Sequence, residues 1–309
     1  MSSQSHDGVH RYPAEVDLTR FAWLSIAAAV VTISVKSLGA WITGSVGLLS
    51  DAAESVVNLV AAIVALFALR VAATPPDKNH PYGHSKAEYF SAAVEGLMIF
   101  VAAAVIVYTA IERLLNPKPL EQLGIGLTLS VVGSIVNGAV AYVLLRQGRK
   151  HNSATLVADG KHLVTDVITS AAVLIGVFLV TVTGIQRLDP VVALLAGVNI
   201  LWTGFNLVRN SVNGLMDIAI PADEMTILNE VLAQFSNDLV SFHALRTRMA
   251  GTRQFASFHV LVPGDWSVKR GHDLTEDVID AIVARLPLLR VDAHLEPRDD
   301  PRSYEDIEI

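Results

Sequence analysis

No cysteine occurs in this 309-residue chain, which excludes disulfides, thiolate metal sites and thiol catalysis together. Any soft-metal chemistry has to rest on imidazole and carboxylate instead. Charge is scarce as well: 17% of the residues are charged against 52% hydrophobic, and the mean hydropathy is +0.46. A soluble protein of this size carries more charge, so the composition points to a membrane protein. A basic surplus is also missing. The net charge is −7, with most of the acidic excess beyond residue 216, and nucleic acid is not an expected partner. The leader MSSQSHDGVHRYPAEVDLTR lacks the basic, apolar, then small-residue order of a cleaved signal. The first membrane helix is therefore expected to be retained and its polar leader to stay in the cytoplasm.

What is present is a series of long apolar runs. A span needs roughly 20 mainly apolar residues, and six stretches qualify, near 21–41, 46–71, 88–112, 123–145, 155–184 and 188–211. Breakers fall between them, among them TPPDKNHPYGH at 74–84, RQGRKHNS at 146–153 and TGIQRLDP at 183–190. An even number of spans puts both termini on one side. Lys78, Lys86, Arg146, Arg149, Lys150 and Arg209 share that side, against Arg113, Lys118 and Arg187 on the other. Basic loops stay in the cytoplasm, so cytoplasmic termini in a cell (inner or plasma) membrane are expected.

After residue 216 the composition changes. A helix pattern at DEMTILNEVLAQF, strands near SFHALRTRMAG and TRQFASFHVLVPG, a helix at SVKRGHDLTEDVIDAIVARL and a strand at LRVDAHLEP follow in turn. The order αββαβ predicts a two-layer α+β domain with helices on one face of a three-stranded sheet. The expected fold is thus an α-helical membrane protein: a flexible leader at 1–17, six transmembrane helices within 18–216, a small α+β domain at 217–300 and a tail at 301–309.

Ionisable groups inside a bilayer cost about 2.5–3.5 kcal/mol even on the lenient insertion scale, and are functional candidates for that reason. Two runs carry them in the same arrangement. The second span reads SDAAESVVN, with Asp51, Glu54 and Asn58; the fifth reads ADGKHLVTD, with Asp159, His162 and Asp166. In each, positions i, i+3 and i+7 fall on one helical stripe. If the stripes face each other, Glu54, Asn58, His162 and Asp166 offer one imidazole nitrogen and three oxygens to a divalent ion of the Zn²⁺ or Fe²⁺ kind. Asp51 and Asp159 sit a turn outward, in an electrostatic or entry role. Lys36 and Glu95 are read as helix-pairing or water-facing charges.

These residues resemble the cation diffusion facilitator family, proton-coupled exporters of divalent metals with six membrane helices and a metallochaperone-like cytoplasmic domain. LLSDAAESVVNLVAA, HPYGHSKAEYFSA and LVADGKHLVTDVITS carry the resemblance, which spans about residues 18–298. It implies a transport site on helices two and five, with His162 and Asp166 matching the family's His-x-x-x-Asp. On helix two the family has Asp or His followed four residues on by Asp; here Glu54 and Asn58 stand there. An amide for a carboxylate removes one negative charge, so the family's Zn²⁺ preference does not carry over intact; Zn²⁺ stays the first choice, with Fe²⁺, Co²⁺, Ni²⁺ and Mn²⁺ open. By the same resemblance Asp77, His80 and His84 form a loop metal site, Asp77 and His84 foremost. Lys86 would interlock with Asp217 across a homodimer. His243, His259, His272, His294 and Glu296 would form a binuclear site at the interface of the C-terminal domains, coupling metal level to dimer shape.

The implied function is export of M²⁺ against H⁺ without a covalent step, because a ligand must lose its proton to bind metal. Two rivals are weaker. A membrane metalloenzyme needs a motif such as His-Glu-x-x-His, which is absent; a membrane-anchored metal sensor does not explain ligands on two helices.

Overall fold

The computed structural model describes residues 16–43, 46–116 and 124–305, and not the side chains of 39, 40, 42, 43, 46–54, 57, 124–127, 129, 130 and 177. The leader up to residue 15, residues 117–123 between the third and fourth spans, the end of the tail and the side chains of Asp51 and Glu54 lie outside the described residues. The chain divides into two compact units that meet in sequence at Leu215 and Met216.

The first unit is all helix: α1 (Thr19–Thr43), α2 (Val46–Ala72), α3 (Ala87–Leu115), α4 (Gly124–Lys150), α5 (Ala154–Thr183) and α6 (Leu188–Leu215). Five of these helices are long and apolar enough to cross a membrane, and the described side chains of α2 add a shorter apolar stretch, Asn58–Ala72. The expected runs agree with α2 and α5 to within one residue at each end, and the largest extension is at the end of α4, where interfacial residues such as Arg149 and Lys150 continue the helix. Helix α1 packs on α2, α3 on α6 and α4 on α5, with α5 also against α3 and α6. Small residues permit the close α3–α6 approach: a Cβ on Gly204 would lie 2.7 Å from the Phe100 backbone nitrogen. Helix α5 starts where Ser153 Oγ accepts from the Leu156 N–H and ends at Gly184 in the left-handed region.

The second unit follows the expected order: α7 (Ala222–Phe235), β1 (Ser241–Ala250), β2 (Arg253–Val262), α8 (Val268–Arg285), β3 (Leu289–Pro297) and a 3₁₀ turn, Pro301–Tyr304. The sheet order is β1-β2-β3, with β1 antiparallel and β3 parallel to β2. Its core joins Leu228, Val231 and Leu232 of α7, Val278, Ile279 and Ile282 of α8, and Ala256, Phe258, Val260, Val262, Leu289 and Val291 of the sheet. Those strand residues alternate, so one face meets the helices and the other is left for chemistry.

Strand β1 departs from simple alternation. Phe242, Leu245 and Met249 pack against or within the core, and the step from 242 to 245 is one residue too long for a period of two. Ala244 takes up the extra residue at φ +51, where the register shifts between His243 and Arg246. This bulge brings Phe242 and Leu245, three residues apart, to the same inward face of one strand.

Candidate metal centres

Within the helical unit, the two expected stripes meet. His162 Nε2 lies 2.8 Å from Asn58 Oδ1, and the Asn58 amide donates to Asp166 Oδ2. Asn58 therefore ties the imidazole and the carboxylate together across α2 and α5. Asn58 and His162 are buried, at 6% and 7% exposure, so a cation held there would be largely stripped of water. Glu54 lies one turn before Asn58, outside the described side chains. A residue not singled out from the sequence joins this group: Asn137 of α4 donates to Asp166 Oδ2 at 3.3 Å. The signal was available, since Asn137 is an amide within the apolar run SIVNGAVAYV.

One turn toward the start of α5, Asp159 is 1% exposed and its Oδ1 accepts from Ser25 Oγ of α1 at 3.1 Å. Lys36 lays its stem along α4, with Cε 3.4 Å from the place a Cβ would take on Gly133, which fits a helix-pairing role. Glu95 corrects the water-facing half of its expectation. It is fully buried, and neither carboxylate oxygen has a hydrogen-bond partner. Packing of the flanking Ala92 and Ile99 onto the α5 and α6 core shuts water out.

The loop residues converge within eight positions. Asp77 Oδ1 lies 3.2 Å from His80 Nδ1 and its Oδ2 3.6 Å from His84 Nε2, while the two imidazole centroids are 4.3 Å apart. The backbone N–H groups of Asn79 and His80 both donate to Asp77 Oδ1, and Gly83 closes the turn at φ +82. The His80 N–H, foremost, holds the Asp77 carboxyl below the usual carboxylate range, with help from the Asn79 N–H. His80 takes part as fully as the other two, with one donor atom from each within 4.8 Å.

Lys86, at the start of α3, donates to the Leu215 carbonyl at 3.3 Å. In the second unit Asp217 pairs with Arg248 at 3.4 Å. Two residues beyond Lys86, Glu88 is buried at 1% exposure and accepts from Ser153 Oγ and from the Thr155 N–H at 3.3 Å. The carboxylate thus sits at the first turn of α5, opposite its free N–H groups.

The C-terminal histidines lie side by side across the sheet. His243 faces His259 in the antiparallel pair and His259 faces His294 in the parallel one. Ring centroids are 5.0 and 5.2 Å apart. Glu296, two residues past His294 on the same face, brings Oε2 to 3.0 Å from His243 Nε2 and 3.1 Å from His259 Nδ1; its Oε1 lies 3.5 Å from His294 Nε2. The Tyr304 ring sits 5.8 Å from His243. His272 is not brought into this group: it is exposed on α8, which packs on the sheet's other face.

Set beside known proteins, residues 22–216 match the cation efflux transmembrane domain and residues 220–298 the cation efflux protein cytoplasmic domain. The chain belongs to the cation efflux family, the cation diffusion facilitators, and is a membrane transporter of metal cations. An uncharacterized Synechocystis transporter, sll1263, is 52% identical over 286 residues, covering 92% of each chain. The Yersinia pestis cation-efflux pump FieF is 30% identical over 271 residues, 88% of this chain and 90% of that one. Among solved structures, the metal-bound C-terminal domain of the CzcD transporter from Thermotoga maritima shares 30% identity and covers 26% of this chain and 92% of its own, with a TM-score of 0.24.

Proposed function

We propose that the protein exports a divalent transition-metal cation from the cytoplasm in exchange for protons, through a site formed by Glu54 and Asn58 of α2 with His162 and Asp166 of α5. The observation that carries this reading is the buried bridge of Asn58 to both His162 and Asp166. It joins two helices at the groups a cation would use, and a membrane anchor for a sensor has no need of it. Zn²⁺ is the first-choice cargo, with Fe²⁺, Co²⁺, Ni²⁺ and Mn²⁺ as alternatives. The chain acts as a carrier and not as an enzyme.

In the cytoplasm-facing state the ion displaces protons from His162, Asp166 and Glu54. In the outward-facing state protons return and expel it, with helices rocking around a fixed site. Imidazole ordinarily titrates near pH 6.5, within reach of a physiological gradient. The loop group Asp77, His80 and His84 and the sheet group His243, His259, His294 and Glu296 report cytoplasmic metal to a homodimer. His272 adds its imidazole at the dimer interface, and Lys86 and Asp217 interlock across it.

Uptake of ⁶⁵Zn or ⁵⁵Fe into inverted vesicles under an imposed pH gradient tests this. Flux should be lost in His162→Ala and Asp166→Ala; equal flux in all three proteins overturns the transport site.

A further inference from the structure

Glu95 is the largest polar anomaly in the helical unit. It lies eight residues into α3, and both carboxylate oxygens are without a hydrogen-bond partner at 0% exposure. A bare carboxylate in such a place is prohibitively costly, so the group has to carry a positive partner of its own.

The surroundings narrow what that partner is. Ala92 and Ile99, one turn to either side of Glu95, pack in one core with Ala158, and Asp159 follows Ala158 directly. Glu95 and Asp159 accordingly feel each other's charge across the α3–α5 contact. Opposite Glu95, α6 offers no charge: Gly96 abuts Leu207 and Val208, and Gly204 abuts Phe100. From α1 comes only the Ser25 hydroxyl, and it is spent on Asp159. On α2 the one titratable group among the described side chains is Arg70, which lies over the Trp23 ring of α1; Asp51 and Glu54 are outside that description. Ser91, a turn before Glu95 on α3, is also buried with its Oγ unpaired.

The two carboxyls are unequal. Asp159 accepts a full hydrogen bond from Ser25 Oγ, whereas the hydroxyl nearest Glu95, that of Ser91, favours its ionised form without closing a hydrogen bond. No cationic side chain among the described residues reaches Glu95, and a proton is the one positive partner that needs no further ligands. We infer that Glu95 is a proton carrier of the exchange cycle, holding its proton on a carboxyl that is not a metal ligand, with Asp159 as the charged group between it and His162. This rests on the proton-exchange reading above and adds a group to it. When M²⁺ enters beside His162 and Asp166, its positive charge stabilises an ionised Glu95. The Oε–H bond breaks and the proton leaves to water on the side from which the metal came. When the metal departs, a proton returns to Oε and the buried carboxyl is neutral again. The metal ligands and this carboxyl thus change charge together, which keeps the net intramembrane charge nearly constant.

The test uses the full-length protein in proteoliposomes, with pyranine reporting internal pH and ⁶⁵Zn²⁺ reporting metal in the same vesicles. Glu95→Gln keeps the shape and cannot release a proton. It is expected to move metal down its own gradient, to move about one proton fewer per metal, and to lose most of the accumulation driven by a pH gradient. Glu95→Asp keeps a titratable carboxyl and is expected to retain the wild-type ratio, which guards against misreading a folding defect in the glutamine variant. Equal proton-to-metal ratios in wild type and Glu95→Gln overturn the inference, as does a ratio lowered equally in both variants, or wild-type metal flux without proton movement. His162→Ala run alongside separates the two readings: flux that survives its loss sinks the transport site, whereas an unchanged ratio in Glu95→Gln beside an inactive His162→Ala sinks the proton carrier alone.

Discussion

At the scale of single residues, the site turns on an amide. Asn58 accepts from His162 and donates to Asp166, so in the metal-free state it neutralises the repulsion that a second carboxylate would bring. Asn58→Asp restores the charge and removes the donor. Affinity for divalent ions should rise by about tenfold, since ligand charge count tunes affinity over decades, and the preference order in a multi-metal competition flux assay should change; an unchanged order removes the case that the amide selects the cargo. Asn137 is the outer support of Asp166. Asn137→Ala should lower metal affinity or turnover by about 10–100-fold, as losses of such partners do, with Asn137→Asp failing to rescue because it cannot donate. Much of this site was legible: Asn58, His162 and Asp166 stood out as polar positions repeating at helical spacing in apolar runs. Asn137 and Ser25 did not, because a lone amide or hydroxyl satisfies itself within its own helix as easily as across to another, and only packing decides. Glu95 was visible as a charge but misread, since sequence cannot tell which side of a helix faces a neighbour and which faces water.

At the scale of elements, the position of α5 depends on its first turn. Ser153 caps it, and Glu88 of α3 reaches the same turn through Ser153 Oγ and the Thr155 N–H. Ser153→Ala should cost about 1 kcal/mol as a lost cap. Because Glu88 then also loses a partner, a thermal-melt double cycle with Glu88→Gln should be non-additive; strict additivity would mean the two contacts work independently. The helices and strands were readable from apolar runs, breakers and the change of period after residue 216. The bulge in β1 was not, although its cause is written in Phe242, Leu245 and Met249: the inward residues slip by one, and a period-two reading passes over a single extra alanine. The loop is a compact element with its own pH behaviour. The ionised form of Asp77 is favoured by the His80 and Asn79 N–H groups, so it supports the folded loop throughout the range above ordinary carboxylate titration and is lost only as pH falls through its lowered value. Protons therefore compete with metal at Asp77 only below the ordinary carboxylate range. In Zn²⁺ titrations of full-length protein carrying His162→Ala and His259→Ala, Asp77→Asn should bind more weakly at every pH above that range.

At the scale of the whole molecule, the proposed function gives metal three separate places to act, and its removal should be felt differently at each. Saturating Zn²⁺ at about 100 times its dissociation constant should stabilise the native chain by about 2.7 kcal/mol per occupied site. Chelation should reverse that, and His259→Ala should remove the share belonging to the sheet group when melts are followed with and without metal. The comparison with known proteins identifies both halves as parts of one family, and the change of composition after residue 216 made the boundary between them readable. The alternation of β2 and β3 has one more implication. Phe258, Val260, Val291 and Leu295 face the helices, while His259, His294 and Glu296 face away. Folding and ligation are thus written on alternate letters of the same words. Descendants of this chain can exchange the imidazoles and the carboxylate for other donors, and so be retuned to another metal, without disturbing the residues on which the domain's existence depends.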